Sequence, residues 1–500
     1  MLNLALDRLR FAYSKQYCQT SLIPGSFIVS LVKGLNGRVV HDSAHYFLIY
    51  EPFNRFLRFQ AQGIDLGILL TMNGEEIYGW LSTLFPLNRT LAGPDTRKTL
   101  EFLKAVVPEI TIKSIASGTK VFDWEVPMEW HVREAYIENA LGDRVIDYKQ
   151  NNLHLVGYSI PFSETLEFSQ LNLNLHSLPN QPEFIPYITS YYSKNWGFCV
   201  SEKQKECLGP GPYKVLIDTF FQEGELAYGE LIIPGRSAKE ILISTYICHP
   251  SMANDNLSGV VVSLALAKWL TLQENLEFTY RVLFLPETIG SIAYLQANLD
   301  DLVKNVIAGW VVTCVGDSGQ FSFIPSIAGN SLSDRISRKI LNDYGLPWKE
   351  YSFLDRGSDE RQYCAPGSNL PIASVTRSKY GEFPEYHTSG DNLGFVNSKS
   401  LEESFNVYKE FLQSIEYNDT FHANSIGEPN LGKRGLYPTL STKESASSVQ
   451  DLLNVYIYCN GERDLLEISE ITELPMNYVI KLANKLKVAN AISKFRKFSP

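Results

Sequence analysis

The feature that most constrains the fold is an alternation of apolar strand-like runs with helical patterns in the second half of the chain. Runs such as YKVLIDTFF, LAYGELIIPG, EILISTYI and TYRVLFLPE alternate with helical stretches such as GVVVSLALAKWLTL. Strands that are apolar on both faces are typical of a sheet covered by helices on both sides. We therefore predict an α/β fold with a mixed, mostly parallel sheet and helices on both faces.

Length, composition and charge exclude several classes of protein. The chain has 500 residues, too many for one hydrophobic core, so we expect several domains. A net charge of -10 argues against nucleic-acid binding by the whole chain. No apolar run reaches the roughly 20 residues of a membrane span, and the N-terminus lacks the pattern of a secretion signal. The seven cysteines are scattered without a CxxC pair, which is typical of reduced thiols. We predict a cytoplasmic protein without a membrane partner.

Changes in pattern along the chain predict six segments. The N-terminal part is rich in aromatic residues, and two helical stripes follow it. A stretch rich in proline and aromatics, HSLPNQPEFIPYITSYYSKNWGF, indicates a β-rich insert, and three helical stripes near the C-terminus indicate a winged helix. The predicted segments are an extension of unassigned role (1–72), the first part of a catalytic domain (73–122), the inserted β-rich domain (123–212), the second catalytic part (213–424), a linker (425–446) and a winged-helix domain (447–500).

Four polar residues stand where such a sheet places its chemistry, beyond the carboxyl ends of the strands. His249 follows EILISTYI, Glu287 follows TYRVLFLP, Asp255 lies in a loop with glycine and asparagine, and His387 lies in EYHTSGDN. Each has an ordinary explanation alone; Asp255, for example, could simply cap the following helix. Together, two imidazoles and one carboxylate suit zinc with an open position for water, and the remaining carboxylate suits a base.

The order of these motifs, H…D-x-x-x-G, E-x-x-G and H-T-x-x-D, resembles the co-catalytic zinc aminopeptidases, which share their α/β fold with the glutaminyl cyclases. ICHPSMANDNLSG, GSDERQYCAPG and YHTSGDN also resemble a subgroup of bacterial aminopeptidase-like proteins. That subgroup carries an inserted domain of unassigned role and a C-terminal winged helix. The resemblance covers positions 75–500, about 85% of the chain. It implies a zinc-exopeptidase fold, of the phosphorylase/hydrolase-like type.

The resemblance also implies roles for the four residues. His249 and His387 match the two metal histidines, Asp255 matches the carboxylate that bridges two zinc ions, and Glu287 matches the general base. The two further carboxylates of the two-zinc enzymes are replaced here by Thr288 and, in our alignment, Thr313. A threonine hydroxyl is a poor zinc ligand, and two zinc ions sharing one carboxylate would repel each other.

We therefore predict one zinc ion, held by His249, Asp255 and His387, with water in the fourth position.

Weaker candidates come from two loops. Asp391 could orient His387 as a hydrogen-bonded partner, or it could be an ordinary turn residue. Asp359, Arg361 and Tyr363 in GSDERQY lie in a loop expected near the site. Arg361 could bind a substrate carboxylate, or it could form a surface salt bridge.

Three functions remain open from the sequence. The first is a zinc-dependent, aminopeptidase-like hydrolase that acts on a small peptide or an aminoacyl conjugate. The second is a zinc acyl-transfer or cyclisation enzyme on the same fold. The third is a catalytically degenerate peptidase domain that serves as a binding scaffold, with the winged helix as the interaction module. That module is basic from position 476 onward but follows an acidic stretch, so we expect protein contact rather than DNA binding. Proteins with this resemblance are associated with surface polysaccharide or secondary-metabolite pathways.

Overall fold

The computed structural model describes residues 46–51, 54–61, 64–68, 72–191, 193–437 and 443–495. The chain divides into two compact units, residues 1–71 and 72–500. In the first unit the described backbone forms an antiparallel sheet in the order β1-β2-β3. Its strands are β1 (Tyr46–Glu51), β2 (Asn54–Ala61) and β3 (Ile64–Ile68). The rest of the predicted N-terminal extension, including positions 1–45, lies outside the described residues.

The second unit opens with two amphipathic helices and one strand: α1 (Gly74–Leu84), α2 (Pro94–Val106) and β4 (Thr111–Ala116). Local sequence explains where the helices begin. The side chain of Asn73 accepts a hydrogen bond from the backbone N–H of Glu75 at 2.9 Å and caps α1. Pro94 stands at the first position of α2, where its missing N–H costs nothing.

A β-rich insert follows. Its main sheet is antiparallel, in the order β8-β7-β12-β9, beside the hairpin β5-β6 and the parallel pair β10-β11. The elements are β5 (Lys120–Val121), β6 (Trp124–Glu125), β7 (Glu129–Glu138), β8 (Arg144–Asp147), a 3-10 turn (Asn152–His154), β9 (Phe162–Glu167), α3 (Phe168–Leu171), a second 3-10 turn (Asn172–Asn174), β10 (Leu175–His176), β11 (Phe198–Cys199), α4 (Glu202–Glu206) and β12 (Pro212–Gln222).

Strand β12 belongs to the insert's sheet, although the predicted boundary at 212 assigns it to the catalytic part. It pairs with β7 and with β9. Its residues alternate between buried and more exposed positions. Such alternation is typical of an antiparallel strand with one solvated face, whereas a strand inside a doubly covered sheet is buried throughout.

The segment predicted as the second catalytic part contributes most of the central sheet and its helices. The elements are β13 (Glu225–Ile233), β14 (Glu240–Tyr246), an irregular turn (Ala253–Ser258), α5 (Gly259–Leu270), β15 (Thr279–Leu285), α6 (Ile289–Asn305), β16 (Val306–Val311), β17 (Phe321–Ile324), α7 (Leu332–Tyr344), β18 (Trp348–Glu350), a 3-10 turn (Phe353–Asp355), α8 (Glu360–Tyr363), β19 (Ile372–Thr376) and α9 (Ser398–Glu416).

The central sheet has eight strands in the order β18-β17-β19-β16-β14-β15-β13-β4. Strands β15, β14, β16 and β19 are mutually parallel, and β13, β4 and β17 run antiparallel to neighbours. Every residue of β14 is buried. Ile241 and Ile243 pack in the cluster that contains α5, whereas Leu242 packs in the cluster that contains part of α6. Helices therefore cover both faces, as predicted.

The C-terminal segment has the helix and strand order of a winged helix. Its elements are β20 (Thr420–Ala423), α10 (Lys443–Ile457), β21 (Asn460–Asp464), α11 (Leu465–Thr472), α12 (Met476–Val488) and β22 (Ile492–Lys494). The sheet order is β21-β20-β22, so one strand precedes the predicted linker. Apolar residues of α10 and α12 share a core cluster with α9. None of the helices in the described part of the chain has the length and apolar character of a membrane span.

Candidate metal centre

The central sheet brings His249 and Glu287 to the same edge. Strands β14 and β15 are parallel neighbours whose last residues, Tyr246 and Leu285, are paired in register. The residues that follow both strands therefore leave the sheet side by side. His249 Nε2 lies 3.7 Å from Glu287 Oε2.

The loop after β14 and the loop before α9 add the two other candidate ligands. One ligand atom each from His249, Asp255 and His387 lies within 4.8 Å of the others. His387 Nε2 lies 3.1 Å from Asp255 Oδ2. This nitrogen is buried and has no hydrogen-bond partner among the described residues. Buried polar atoms are nearly always satisfied, so an unsatisfied nitrogen that faces a carboxylate is suited to bind a metal ion.

The protonation states of the ligands also fit a cation. Burial lowers the pKa of His249 to about 4, although Asp255 opposes the shift. Burial alone would raise the pKa of Asp255, but His249 and His387 outweigh it and the pKa falls to about 2. At neutral pH the site therefore presents a neutral His249 imidazole and an ionised Asp255, the forms that bind metal ions.

Asp391 holds the loop that carries Asp255. Its two carboxylate oxygens accept hydrogen bonds from the backbone N–H groups of Asn254 at 2.6 Å and Asp255 at 2.8 Å. Its backbone carbonyl accepts another from Ala253 at 3.0 Å. The structure thus places the Asp391 carboxylate against the backbone of Asn254 and Asp255. From the sequence, Asp391 could orient His387 or be an ordinary turn residue.

One carboxylate oxygen of Asp255 is occupied by a hydrogen bond from the Tyr246 hydroxyl, which also contacts Thr313. Tyr246, the last residue of β14, donates its hydroxyl hydrogen to Asp255 Oδ1. The same hydroxyl lies 2.6 Å from Thr313 Oγ1. Thr313 is the position where the resemblance predicts a lost zinc carboxylate. Only Asp255 Oδ2 faces His387, so the Asp255 carboxylate has one oxygen for a cation.

Glu287 lies beside the ligands without joining the three-residue group. Its side chain is 19% exposed, and its backbone N–H donates to the Cys248 sulfur at 3.2 Å. Burial raises the pKa of Glu287 well above its usual range, and the nearby carboxylates of Asp359 and Asp255 raise it further. A carboxylate of this kind is a stronger base than an ordinary glutamate.

The GSDERQY loop divides into residues near the site and residues in the core. Asp359 is fully buried, and its Oδ1 accepts hydrogen bonds from the Thr288 backbone N–H at 2.8 Å and from the Ser291 hydroxyl at 2.9 Å. Burial raises the pKa of Asp359 to about 6, although these bonds oppose the shift. The exposed guanidinium of Arg361 donates to Thr288 Oγ1 at 2.7 Å. Arg361 therefore contacts Thr288, the residue that follows Glu287 in the chain.

Tyr363 does not line the cleft. It is fully buried in a hydrophobic cluster with Leu242 and Leu283. Its hydroxyl lies 2.8 Å from Ser244 Oγ on β14. The expectation that Tyr363 lies near the site, where it could contact a substrate, is therefore corrected: its side chain lies in the hydrophobic core and contacts β14.

Sequence reasoning missed the groups that hold the two histidines. Both have positive φ angles, 81° for His249 and 53° for His387. The backbone carbonyl of His249 accepts a hydrogen bond from the buried guanidinium of Arg89, and that of His387 accepts one from the Tyr187 N–H at 2.8 Å. These partners lie 160 and 200 residues away along the chain, so no local pattern could indicate them.

Comparisons with known proteins support the fold and the presence of a C-terminal winged helix. The family described as "Domain of unknown function (DUF4910)" matches residues 78–418, and the family described as "winged helix-turn-helix" matches residues 419–494. The chain is 44% identical over 365 residues to a "Putative polysaccharide biosynthesis protein with aminopeptidase-like domain" from Clostridium acetobutylicum, covering 73% of this chain and 83% of that protein.

Two solved structures are similar over most of the chain. A crystal structure titled "putative peptidase" from Clostridium acetobutylicum has a TM-score of 0.80 at 40% identity and covers 84% of this chain and 96% of that one. BSAP, a zinc aminopeptidase from Bacillus subtilis, has a TM-score of 0.51 at 12% identity, with 69% and 95% covered, and shows the fold alone. The predicted α/β peptidase fold and C-terminal winged helix are confirmed.

Proposed function

The chain belongs to the family described as domain of unknown function DUF4910, and from its peptidase fold and its site we propose that it is a metal-dependent hydrolase of an amide bond. The observation that carries the proposal is the convergence of His249, Asp255 and His387, whose ligand atoms lie within 4.8 Å of one another. A fourth group, the carboxylate of Glu287, lies 3.7 Å from the nearest ligand nitrogen, that of His249.

The donor set favours one zinc ion. Two imidazole nitrogens and one carboxylate oxygen are a common catalytic zinc set, which leaves one position open. A second ion would need further carboxylates, but Thr288 and Thr313 offer hydroxyl groups, and Tyr246 already donates to Asp255. When bound, the ion supplies Lewis-acid chemistry: it polarises the substrate carbonyl and makes water more acidic.

The chain's own residues then divide the remaining work. Glu287 takes a proton from the attacking water while the water oxygen bonds to the carbonyl carbon. The same carboxyl group gives that proton to the leaving nitrogen as the C–N bond breaks. Asp359 holds the Thr288 backbone and so fixes the turn that presents Glu287. General acid–base catalysis of this kind contributes about 10²–10⁴-fold to a rate.

We assign the substrate as a small peptide or an aminoacyl conjugate. The name of the Clostridium acetobutylicum relative mentions polysaccharide biosynthesis, which favours an amide carried on a sugar. Arg361 is exposed and donates one hydrogen bond to Thr288, the residue that follows Glu287 in the chain. Its other N–H groups are suited to a substrate carboxylate. The winged helix serves as a packing module: the Met476 N–H at the start of α12 donates to Asp343 of α7 at 2.8 Å.

Hydrolysis of aminoacyl amides and amino-sugar amides by zinc-loaded protein tests the proposal. We expect the products to gain the mass of water, whereas cyclisation would release ammonia without that gain. Glu287→Gln should keep its zinc and lose about 10²–10⁴-fold in rate. Glu350→Gln makes the same chemical change in a surface pair with Arg338 and should match the wild type. A Glu287→Gln enzyme as active as the wild type would contradict the assigned base.

A further inference from the structure

One short stretch of the inserted domain contacts the loop that carries His387. Residues 185–187, here called the clamp segment, lie against residues 384–390, here called the His387 loop. The two stretches form an antiparallel bridge between Pro186 and Thr388. An outer contact is added by Gln181, whose side-chain amide donates to the backbone carbonyl at position 384 at 2.8 Å.

Three hydrogen bonds tie the clamp segment to the His387 loop. The Ile185 N–H donates to Ser389 Oγ at 2.9 Å, and the Ser389 N–H donates to the Ile185 carbonyl at 2.8 Å. The Tyr187 N–H donates to the His387 carbonyl at 2.8 Å. A candidate metal ligand is thus bonded directly to the insert's backbone.

The Tyr187 ring also touches both candidate histidines. Its centroid lies 5.5 Å from that of His249 and 5.2 Å from that of His387, edge-on to the latter. The Tyr386 ring stacks on His387 with a centroid distance of 4.0 Å. The His387 imidazole therefore lies in contact with two tyrosine rings, one of which belongs to the insert.

The His387 loop needs such support. His387 has a φ of 53°, and a non-glycine residue is strained in this region and stays there only when its surroundings fix it. The clamp segment is itself fixed, because Ile185 is buried in a cluster with Leu153, Val156 and Cys199 of the insert. The position of His387 thus depends on the folded core of the insert.

We propose that the inserted domain is a clamp for the metal site and that Tyr187 is a positioning residue for His249 and His387. This inference rests on the proposed function, since it assumes that the two histidines bind a metal ion. It gives the insert a role that a substrate-binding lid would not have: the insert sets the affinity for the ion before any substrate is present.

Co²⁺ titration of the apoprotein, followed by visible absorption, tests the clamp. Tyr187→Ala removes the ring, and Ser389→Ala removes the hydroxyl acceptor of Ile185. We expect each variant to bind Co²⁺ about tenfold or more weakly than the wild type, as is usual when a group that orients a ligand is lost. The absorption bands of bound Co²⁺ should shift, which a purely structural role would not produce.

The control is Asn139→Ala in the β7–β8 turn, where the side chain accepts from the backbone N–H groups of Leu141 and Asp143. It should weaken the insert locally and leave Co²⁺ affinity and spectrum unchanged. Affinities of Tyr187→Ala and Ser389→Ala within threefold of the wild type, with unchanged bands, would overturn the clamp. If Tyr187→Ala fails to fold, Ser389→Ala decides alone. A wild-type protein that takes up no Co²⁺ would instead overturn the proposed function.

Discussion

Arg89 offers a sharp test of how the fold holds His249. The guanidinium is fully buried, and its Nη1 donates to the Leu84 carbonyl at 2.8 Å while its Nη2 donates to the His249 carbonyl. Burial lowers the pKa of Arg89 to about 10, so the group stays charged at neutral pH. Arg89→Lys keeps this charge but replaces two terminal nitrogens with one on a shorter side chain. We expect the lysine to keep the Leu84 bond and to lose the His249 bond.

The size of the effect follows from two comparable energies. A hydrogen bond from a charged donor contributes about 1.5–3 kcal/mol, and the left-handed conformation of His249 costs about 1–3 kcal/mol. Without its donor the His249 backbone can relax, and binding of the ion must then restore the ligand position. A cost of about 2 kcal/mol, at about 1.4 kcal/mol for each factor of ten, weakens metal binding roughly 30-fold.

The assay is a Zn²⁺ affinity measurement by competition with a coloured chelator, beside thermal unfolding of the apoproteins. Arg281→Lys is the matched control, because Arg281 is a buried arginine on β15 that pairs with Glu240 at the start of β14. It should lower the unfolding temperature and leave zinc affinity unchanged. A zinc affinity of Arg89→Lys within threefold of the wild type would refute the reasoning.

Three further predictions follow from the site and the core. The pKa of His249 is about 4 when folded and 6.5 ordinarily, so between these values the unfolded chain binds a proton that the folded chain excludes. Stability of the apoprotein should therefore fall as pH drops from 6.5 towards 4, and His249→Gln should remove that part of the fall; equal unfolding temperatures across pH 7 and 5 for both proteins would contradict this. Restoring carboxylates with Thr288→Glu and Thr313→Asp together should raise bound zinc from one to two ions per chain by elemental analysis, and an unchanged count would count against the hydroxyl argument. Deleting residues 425–500 should destabilise the catalytic part in calorimetry, because α10 and α12 share its core; an unchanged unfolding temperature would mean an independent module.

The local pattern of apolar residues predicted the architecture well for strands whose burial can be read from their own sequence. Strand β14 is rich in apolar residues and lies inside the sheet, buried at every residue. The sheet to which strand β12 belongs was not predictable in the same way. This strand is also rich in apolar residues, but its residues alternate between buried and more exposed positions and it belongs to the insert's sheet. The choice between the two sheets depends on which partners the strand finds, and a single sequence does not contain that information.

The candidate site likewise combines residues that the sequence predicted with residues that only the structure reveals. His249, Asp255, Glu287 and His387 stand in recognisable motifs, and the structure brings all four side chains to one edge of the sheet. Residues that hold these groups in place carry no motif. Tyr246 is the last residue of a largely apolar strand, so its sequence context indicates only a buried aromatic side chain. In the structure its hydroxyl donates to Asp255. Such contacts arise when distant segments pack together, and only the fold reveals them.

The most direct test of the metal centre is anomalous diffraction from a crystal of zinc-loaded protein, recorded above and below the zinc absorption edge. We expect one peak per chain, bounded by the side chains of His249, Asp255 and His387, with Glu287 outside the coordination sphere. No peak at that place, or a zinc ion held by other residues, would contradict the account.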